Sequence, residues 1–281
     1  MRPAIRYIII LAVVVTTVIL ARLFLVESYH ITDNRMGETL NAGDYILVNK
    51  LKGKDNPGRN RLVLYKSPLR RDAQKPPLFI GRCIGIPGDE IQMGDDGFRV
   101  NEQLLPNAPM MQPTFRINKD IRESLLNTLD SLRIPLRNIK EDSVSITLRM
   151  SLREKELLIK NLSKVVPIDI IGKHQAARYE FVIPRKGETI GINEISLMVC
   201  QEAIMGEAGD KAVIRDGKLY INGKEKHSFT FKKNYFWILS ENETEGIDSR
   251  HLGLIPEDHI KGNIEYCWYS KNPSNRFKKI K

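Results

Sequence analysis

Residues Phe79–Leu105 read FIGRCIGIPGDEIQMGDDGFRVNEQLL, and this stretch decides the fold class. Phe79–Ile86 is a short run rich in β-formers, closed by the turn residues Pro87-Gly88-Asp89. Beyond it, Asp96-Gly97 separates two further strand-like runs, the pattern of a tight hairpin. A related pattern returns as GDKAVIRDGKLYINGKEK (Gly209–Lys226), with Asp216-Gly217 and Asn222-Gly223 at its turns. One such pair implies two related hairpins and falls short of a repeat array. Tyr45–Leu51 (YILVNKL), Arg61–Tyr65, Phe231–Leu239 and Ile260–Ser270 extend the reading to a largely antiparallel β body.

Between the hairpins the character changes. Residues 106–181 carry almost no Gly and contain helix-like segments at Ile121–Arg133 and Leu152–Val165. Ile121, Leu125, Leu129 and Leu132 stand at helical spacing, which marks a packed face. A small mixed α/β insertion is expected here. It divides the β body into a first part, 27–105, and a second part, 182–281.

The N-terminus is different again. Tyr7–Ala21 (YIIILAVVVTTVILA) has no charge; Arg22 interrupts, and Leu23–Val26 resume. At about 1.5 Å per residue a helix over 7–26 spans about 30 Å, the hydrocarbon thickness of a bilayer. Arg22 can snorkel to the far headgroups, and Arg2 and Arg6 hold residues 1–6 in the cytoplasm. A cleaved signal peptide fits less well, because the stretch is long and no A-x-A-like site follows it. A transmembrane signal anchor at 7–26 is therefore expected, with Glu27–Lys281 outside the cytoplasm.

Composition narrows the classes. The chain has 281 residues, 42% hydrophobic, which excludes disorder, and only three Cys, which excludes a disulfide scaffold. An odd Cys count leaves at least one unpaired. Cys83 and Cys267 lie in β-like apolar runs and read as small core residues, while any pairing among them and Cys200 stays open. The five His form no ligand cluster, so neither metal nor cofactor is expected. A net charge of +10 permits an anionic membrane or nucleic acid; export and the lack of a basic-aromatic pattern argue against nucleic acid. The basic tail Asn275–Lys281 reads as a solvated end that could reach lipid phosphates.

Four blocks, in order behind the apolar segment, resemble the type I signal peptidases, the membrane-anchored Ser/Lys endopeptidases of bacteria. The first resembles IPSGSMMPTLxxGDxILVxK and reads Ile31-Thr32-Asp33-Asn34-Arg35-Met36-Gly37-Glu38-Thr39-Leu40, then Gly43–Lys50. The second, resembling RGDxVxFxxP, is weakly kept as Arg59–Pro68. The third resembles YxKRxxGxPGD and reads Phe79–Asp89; the fourth resembles GDNRxNSxDSRxxGxxP and reads Ser240–Pro256, SENETEGIDSRHLGLIP. The resemblance implies a β body of signal-peptidase type in the bacterial plasma membrane, with signal-peptide processing as its activity. Met36, Arg82, Asp248, Ser249 and Arg250 match framework positions, and Asp248 and Arg250 are spaced to pair.

The positions to which the resemblance assigns chemistry are changed. The family's nucleophilic Ser aligns with Arg35, which has no nucleophilic oxygen and stays charged. Its general-base Lys aligns with Gly81, which has no side chain. Its oxyanion-hole Ser aligns with Asp33, whose carboxylate repels a developing oxyanion. The Ser that orients the base aligns with Gly246. Arg35 and Asp33, two residues apart on an extended segment, share a face and are placed to pair with each other or with Glu38.

The expected function is that of a non-catalytic member, a pseudoenzyme that binds preprotein signal peptides or an active signal peptidase. The alternative is an active endopeptidase with relocated residues. Its candidate hydroxyls are Ser28, Thr32, Thr39, Ser240 and Ser249, and its candidate amines are Lys50, Lys52 and Lys54.

Overall fold

The computed structural model describes residues 3–36, 39–51, 56–69, 76–94, 97–104, 114–134, 136–150, 152–162, 167–171, 179–242 and 246–280. Glu38, Lys52, Lys54, Asp96 and Glu243–Glu245, on which parts of the sequence reading fall, lie outside them.

Helix α1 (Pro3–Phe24) leads directly into strand β1 (Val26–His30). The side chains of Tyr7, Ile8, Ile9, Ile10 and Leu11 are all exposed, so over these residues the helix is apolar around its circumference, and none of its described side chains is turned to a core. Among the described residues no helix is long and apolar enough to cross a membrane; this leaves out the side chains of Val18, Ala21, Leu23 and Phe24. The expected span 7–26 is also corrected at its end. Val26 is the first residue of β1, opposite Asn49, because the apolar run continues past the helix into a strand that finds a partner.

The main sheet is antiparallel. It adds β2 (Tyr45–Asn49), β3 (Leu62–Lys66) and β4 (Leu78–Gly85) before the chain leaves it. A smaller sheet follows, with β5 (Glu90–Gly94), β6 (Gly97–Val100) and β7 (Gln103–Leu104). Gly94 faces Gly97, so Gly97, which the sequence reading placed in the turn, is the first residue of β6; its expected turn partner Asp96 lies outside the described residues.

Next comes a unit of its own: β8 (Thr114–Asn118), α2 (Arg122–Ser131), β9 (Arg137–Glu141), β10 (Ser145–Arg149), α3 (Leu152–Asn161) and β11 (Ile168–Ile171). Its strand order is β11-β8-β10-β9, all antiparallel, which is the split βαβ or ferredoxin-like arrangement. Phe115 and Ile117 alternate with outward Arg116 on β8 and pack with Leu125 and Leu129 of α2 and Leu158 of α3. The helices lie where the spacing placed them, each ending short of the apolar run.

The chain then pairs β12 (Tyr179–Val182) with β5 and continues through β13 (Thr189–Gly191) to helix α4 (Glu194–Ala208). Asn193 and Ser196 form a reciprocal capping box that starts α4. Leu197, Cys200, Ala203 and Ile204 then pack against Phe181 and Trp237. The second hairpin pair follows as β14 (Ala212–Arg215), β15 (Lys218–Ile221) and β16 (Lys224–Lys226). At its turns Asp216 and Gly217 have φ of 51° and 70°, and Asn222 and Gly223 have 52° and 74°, as type I′ turns require.

Strand β17 (Ser228–Thr230) pairs with β13. Strands β18 (Tyr235–Leu239), β19 (Ile255–Pro256), β20 (Ile260–Tyr269) and β21 (Lys278–Lys279) complete the main sheet, with helix α5 (Ser249–Leu252) between β18 and β19. Its order is β1-β2-β20-β3-β4-β18-β19, with β21 beside β20. Register shifts in the β2–β20, β20–β3 and β4–β18 pairings let this sheet curl around its cores. Cys83, Cys200 and Cys267 are buried and free of disulfides, which answers the pairing question the count left open.

Candidate functional site

Three pieces of chain meet beside the main sheet. The first is the loop Ile31–Asp44 between β1 and β2. Ile31 N–H donates to Asp44 O at 2.8 Å, Gly43 N–H to Ile31 O at 2.8 Å, and Ala42 N–H to the Asn34 side chain at 2.8 Å. Ile31, Met36 and Leu40 are buried in the core beneath, so the loop is pinned at both ends and in its middle.

Asp33 and Arg35 stand on this loop and pair, as their spacing implied. Arg35 Nε lies 3.4 Å from Asp33 Oδ2, and the Arg35 backbone N–H donates to Asp33 Oδ1 at 3.1 Å. The guanidinium carbon sits 5.5 Å from the ring centre of Phe79, a cation–π contact. With side chains 30% and 48% exposed, the ion pair contributes at most about 1 kcal/mol to stability.

The second piece is β4 with its neighbours. Gly81 lies opposite Val63, and a Cβ placed on it meets Ile238 Cγ2 at 2.5 Å and Leu239 O at 3.0 Å. The volume beside Gly81 is thus already filled by Ile238. Arg82 is 3% exposed; it donates to Glu241 Oε1 at 2.7 Å and to Asn60 O at 2.5 Å. Burial pushes the Glu241 carboxyl up, opposed by the Arg82 charge and by hydrogen bonds from Arg82 and Thr39.

The third piece is the segment Ser240–Arg250. Asn242 N–H donates to Arg35 O at 3.0 Å and fastens it to the loop. A Cβ on Gly246 falls 1.5 Å from Ser240 Oγ and 2.6 Å from Asn242 O, so the Ser240 hydroxymethyl occupies that space. Ser240 Oγ donates to Asn242 O at 2.8 Å, and Ser249 Oγ accepts from Ile238 N–H at 2.9 Å. Both hydroxyls thus hold the frame together. Thr39 is tied to Glu241 and Ser28 to Trp268, while the Lys50 ammonium pairs with Glu27 at 2.6 Å near the foot of α1.

Asp248 anchors this segment. It is fully buried, caps α5, accepts from Ser240 N–H at 2.8 Å, and holds Arg250 through Nε at 3.0 Å and Nη2 at 2.7 Å. Burial alone would raise its pKa. Hydrogen bonds from His251 and Arg250, the Arg250 charge and the Ser240 N–H overcome burial and bring it down to about 2. A depressed carboxyl stabilises above its unfolded pKa, with an ordinary value of 3.8, and loses that contribution as pH falls through about 2. The shift corresponds to about 2 kcal/mol. Stability measured by denaturant should fall between about pH 4 and about pH 2, and Asp248→Asn should remove that slope. Glu241 acts in the opposite direction, so the difference between the two proteins isolates Asp248. An unchanged slope in the variant would show that the acid sensitivity arises elsewhere.

Tyr65 forms the floor, fully buried, with its hydroxyl 3.5 Å from Ile247 O. Burial and the Asp248 charge keep its phenol neutral, with Arg35 opposing.

The structure therefore brings Asp33, Arg35, Gly81, Arg82, Gly246, Asp248, Ser249 and Arg250 to the same strands and turns. Sequence reasoning missed Ile238, Glu241 and Tyr65, and took Ser240 only as a candidate relocated hydroxyl, not as the side chain that fills the space beside Gly246. The signal for Ser240 and Glu241 lay in the fourth block. There the family pattern has Gly and then Ser six residues later, whereas this chain has Ser240 and Gly246, with Glu241 in place of Asp. Among the described residues no group of His, Cys, Asp and Glu could hold a metal ion.

Comparison with known proteins gives the same direction. The family described as signal peptidase, peptidase S26, matches residues 4–160. The chain is 23% identical over 266 residues to a signal peptidase I of Buchnera aphidicola subsp. Baizongia pistaciae (strain Bp), covering 89% of this chain and 72% of that one. It is 21% identical over 271 residues to the signal peptidase I of Aquifex aeolicus (strain VF5), covering 96% and 86%. A probable signal peptidase I-2 of Synechocystis sp. (strain ATCC 27184 / PCC 6803 / Kazusa) is 33% identical over 104 residues, 35% of this chain and 48% of that one.

Proposed function

The chain belongs to the signal peptidase family, peptidase S26, and from that premise we propose that it is a non-catalytic member that binds signal peptides without cutting them. The observation that carries this reading is steric. Gly81 and Gly246 lack side chains, and the volumes beside them are occupied by Ile238 and Ser240. Substituting the residues of an enzyme leaves vacancies unless the neighbours repack, and here the neighbours fill them. Arg35 pairs through its Nε edge with Asp33 where the resemblance expects a nucleophile and an oxyanion donor. The candidate hydroxyls Thr39, Ser240 and Ser249 all serve the frame, which weighs against a relocated nucleophile.

Membrane association belongs to the same proposal. Over residues 7–11 helix α1 exposes apolar side chains on every side, which water disfavours and lipid accepts. Arg2 and Arg6 at its start orient the N-terminus to the cytoplasm. The β body then lies outside a bacterial plasma membrane, beside the lipid and within reach of signal peptides or an active signal peptidase. No nucleic-acid partner is proposed.

The test uses the full chain in vesicles of bacterial lipid, offered a preprotein with an intact signal peptide. The expected result is a chain that sediments with the vesicles, binds the precursor and leaves it uncut. Cleavage that survives removal of contaminating peptidase, and that one Ser or Thr substitution abolishes, would establish the relocated-residue reading instead.

A further inference from the structure

Arg35 has a specific ligand chemistry, and the argument for it rests on the non-catalytic reading above. A serine nucleophile bonds to the carbonyl carbon of the residue before the scissile bond. Hydrolysis leaves that carbon as a carboxylate and releases the downstream chain with a new ammonium group. The side chain that replaces the nucleophile therefore faces the one atom whose charge differs between an uncut precursor and its amino-terminal product. Here that side chain is a guanidinium, whose planar fork matches a carboxylate. We propose that the site binds the product of signal peptide cleavage, a hydrophobic peptide ending in a small residue with a free α-carboxylate, through Arg35.

Three observations support this. The guanidinium is held in place before any ligand arrives. Its Nε faces Asp33 at 3.4 Å, its carbon lies 5.5 Å from the Phe79 ring centre, and its backbone carbonyl accepts from Asn242. Its two Nη groups have no hydrogen-bond partner among the described residues, and the side chain is 30% exposed. They remain available for a bidentate contact, which Asp33 leaves open by engaging the Nε edge. Two other described carboxylates of the site, Glu241 and Asp248, do not compete for it. Glu241 is buried against Arg82 and Asp248 against Arg250, with the Glu241 and Asp248 side chains 4% and 0% exposed. A chain of net charge +10 also favours the approach of an anion.

The sequence preference follows from the ligand's origin. Signal peptides end at small-residue, A-x-A-like sites, so the carboxylate arrives on an Ala-like residue that brings little bulk to Arg35. The same peptide still joined to its mature chain presents a neutral amide at that atom. The site then distinguishes cut from uncut signal peptides by charge.

The experiment compares two synthetic peptides with the full chain in vesicles. Each has an apolar segment followed by Ala-Gln-Ala; one ends in a free carboxylate and the other in a carboxamide. The expected result is at least about a tenfold preference for the acid, of the order that charge-assisted hydrogen bonds give. Arg35→Gln should abolish the preference and Arg35→Lys keep part of it, with both variants melting like the parent. Equal affinity for acid and amide, or a preference that survives in Arg35→Gln, overturns the inference and leaves the non-catalytic reading standing. Cleavage of an intact precursor by the same preparation overturns that underlying reading instead, so the two failures are separate.

Discussion

Restoring the four family side chains alone, Asp33→Ser, Arg35→Ser, Gly81→Lys and Gly246→Ser, should give a destabilised protein that cuts nothing. Adding Ile238→Ala and Ser240→Gly to the same four should give a protein that cleaves signal peptides. The difference lies in two side-chain contacts; the Asn242 carbonyl, 2.6 Å from a Cβ at residue 246, must shift in both proteins. A Cβ at residue 81 stands 2.5 Å from Ile238 Cγ2, and one at residue 246 stands 1.5 Å from Ser240 Oγ. Each collision forces a shift of rotamer or backbone, at about 1–3 kcal/mol per overpacked site. Two of them consume a large part of a stability of about 5–15 kcal/mol. Relief at Ile238 also opens the volume that the lysine introduced by Gly81→Lys needs to reach a nucleophile at residue 35. Catalytic groups tolerate little misplacement, so the four-site protein should remain inert even where it folds. A fluorogenic signal-peptide assay with parallel melting curves reads both effects. Cleavage by the four-site protein at the rate of the six-site one shows that filling is not the obstacle. A folded but inert six-site protein shows that the substrate groove itself departs from the family.

Glu241→Ala should cost about 3–5 kcal/mol, the largest loss expected from a single substitution in this region. The carboxylate is 4% exposed and its partner Arg82 equally so, 2.7 Å apart. Removing the acid leaves a guanidinium that cannot shed its proton in a site without water's dielectric. For a chain of this size the loss corresponds to a fall in melting temperature of roughly 10 °C. The paired exchange Arg82→Met with Glu241→Met should restore much of it, since an apolar pair of similar volume carries no desolvation cost. A Glu241→Ala protein within about 1 kcal/mol of the parent would mean that the guanidinium is solvated, contrary to its burial.

Why these residues escaped sequence reading is a matter of range. The strands and turns were legible because their signals are local. β-branched runs marked β2, β3 and β4, Asp216-Gly217 and Asn222-Gly223 marked the type I′ turns, and Leu125 and Leu129 marked the buried face of α2. The pairing of Asp33 with Arg35 was legible for the same reason, two residues of separation on extended chain. The filling of the space beside Gly81 was not, because Ile238 reaches it from β18 across the sheet pairing, and no spacing rule predicts which side chain enters a vacant volume. The same holds for Arg82 with Glu241. At the N-terminus the apolar run 7–26 conceals a change of structure, since Leu23–Val26 is equally apolar as helix or strand. Only the pairing of Val26 with Asn49 decides that the strand begins there. The ferredoxin-like order of β8–β11 was hidden too. Its helices show their period, whereas its strands are short and resemble ordinary connecting chain.

That unit has a further property. In the β8–β11 pairing Ile171 stands directly opposite Thr114, about 5 Å away by the geometry of an antiparallel pair. The chain therefore enters and leaves the whole βαββαβ block at one point, as through a doorway. Among the described residues its apolar core draws no side chain from the main sheet, so a lengthened loop or a changed helix inside the block removes nothing from that sheet's own core. The block can drift in sequence, acquire a partner of its own or be lost, while the loop that carries Arg35 keeps its place.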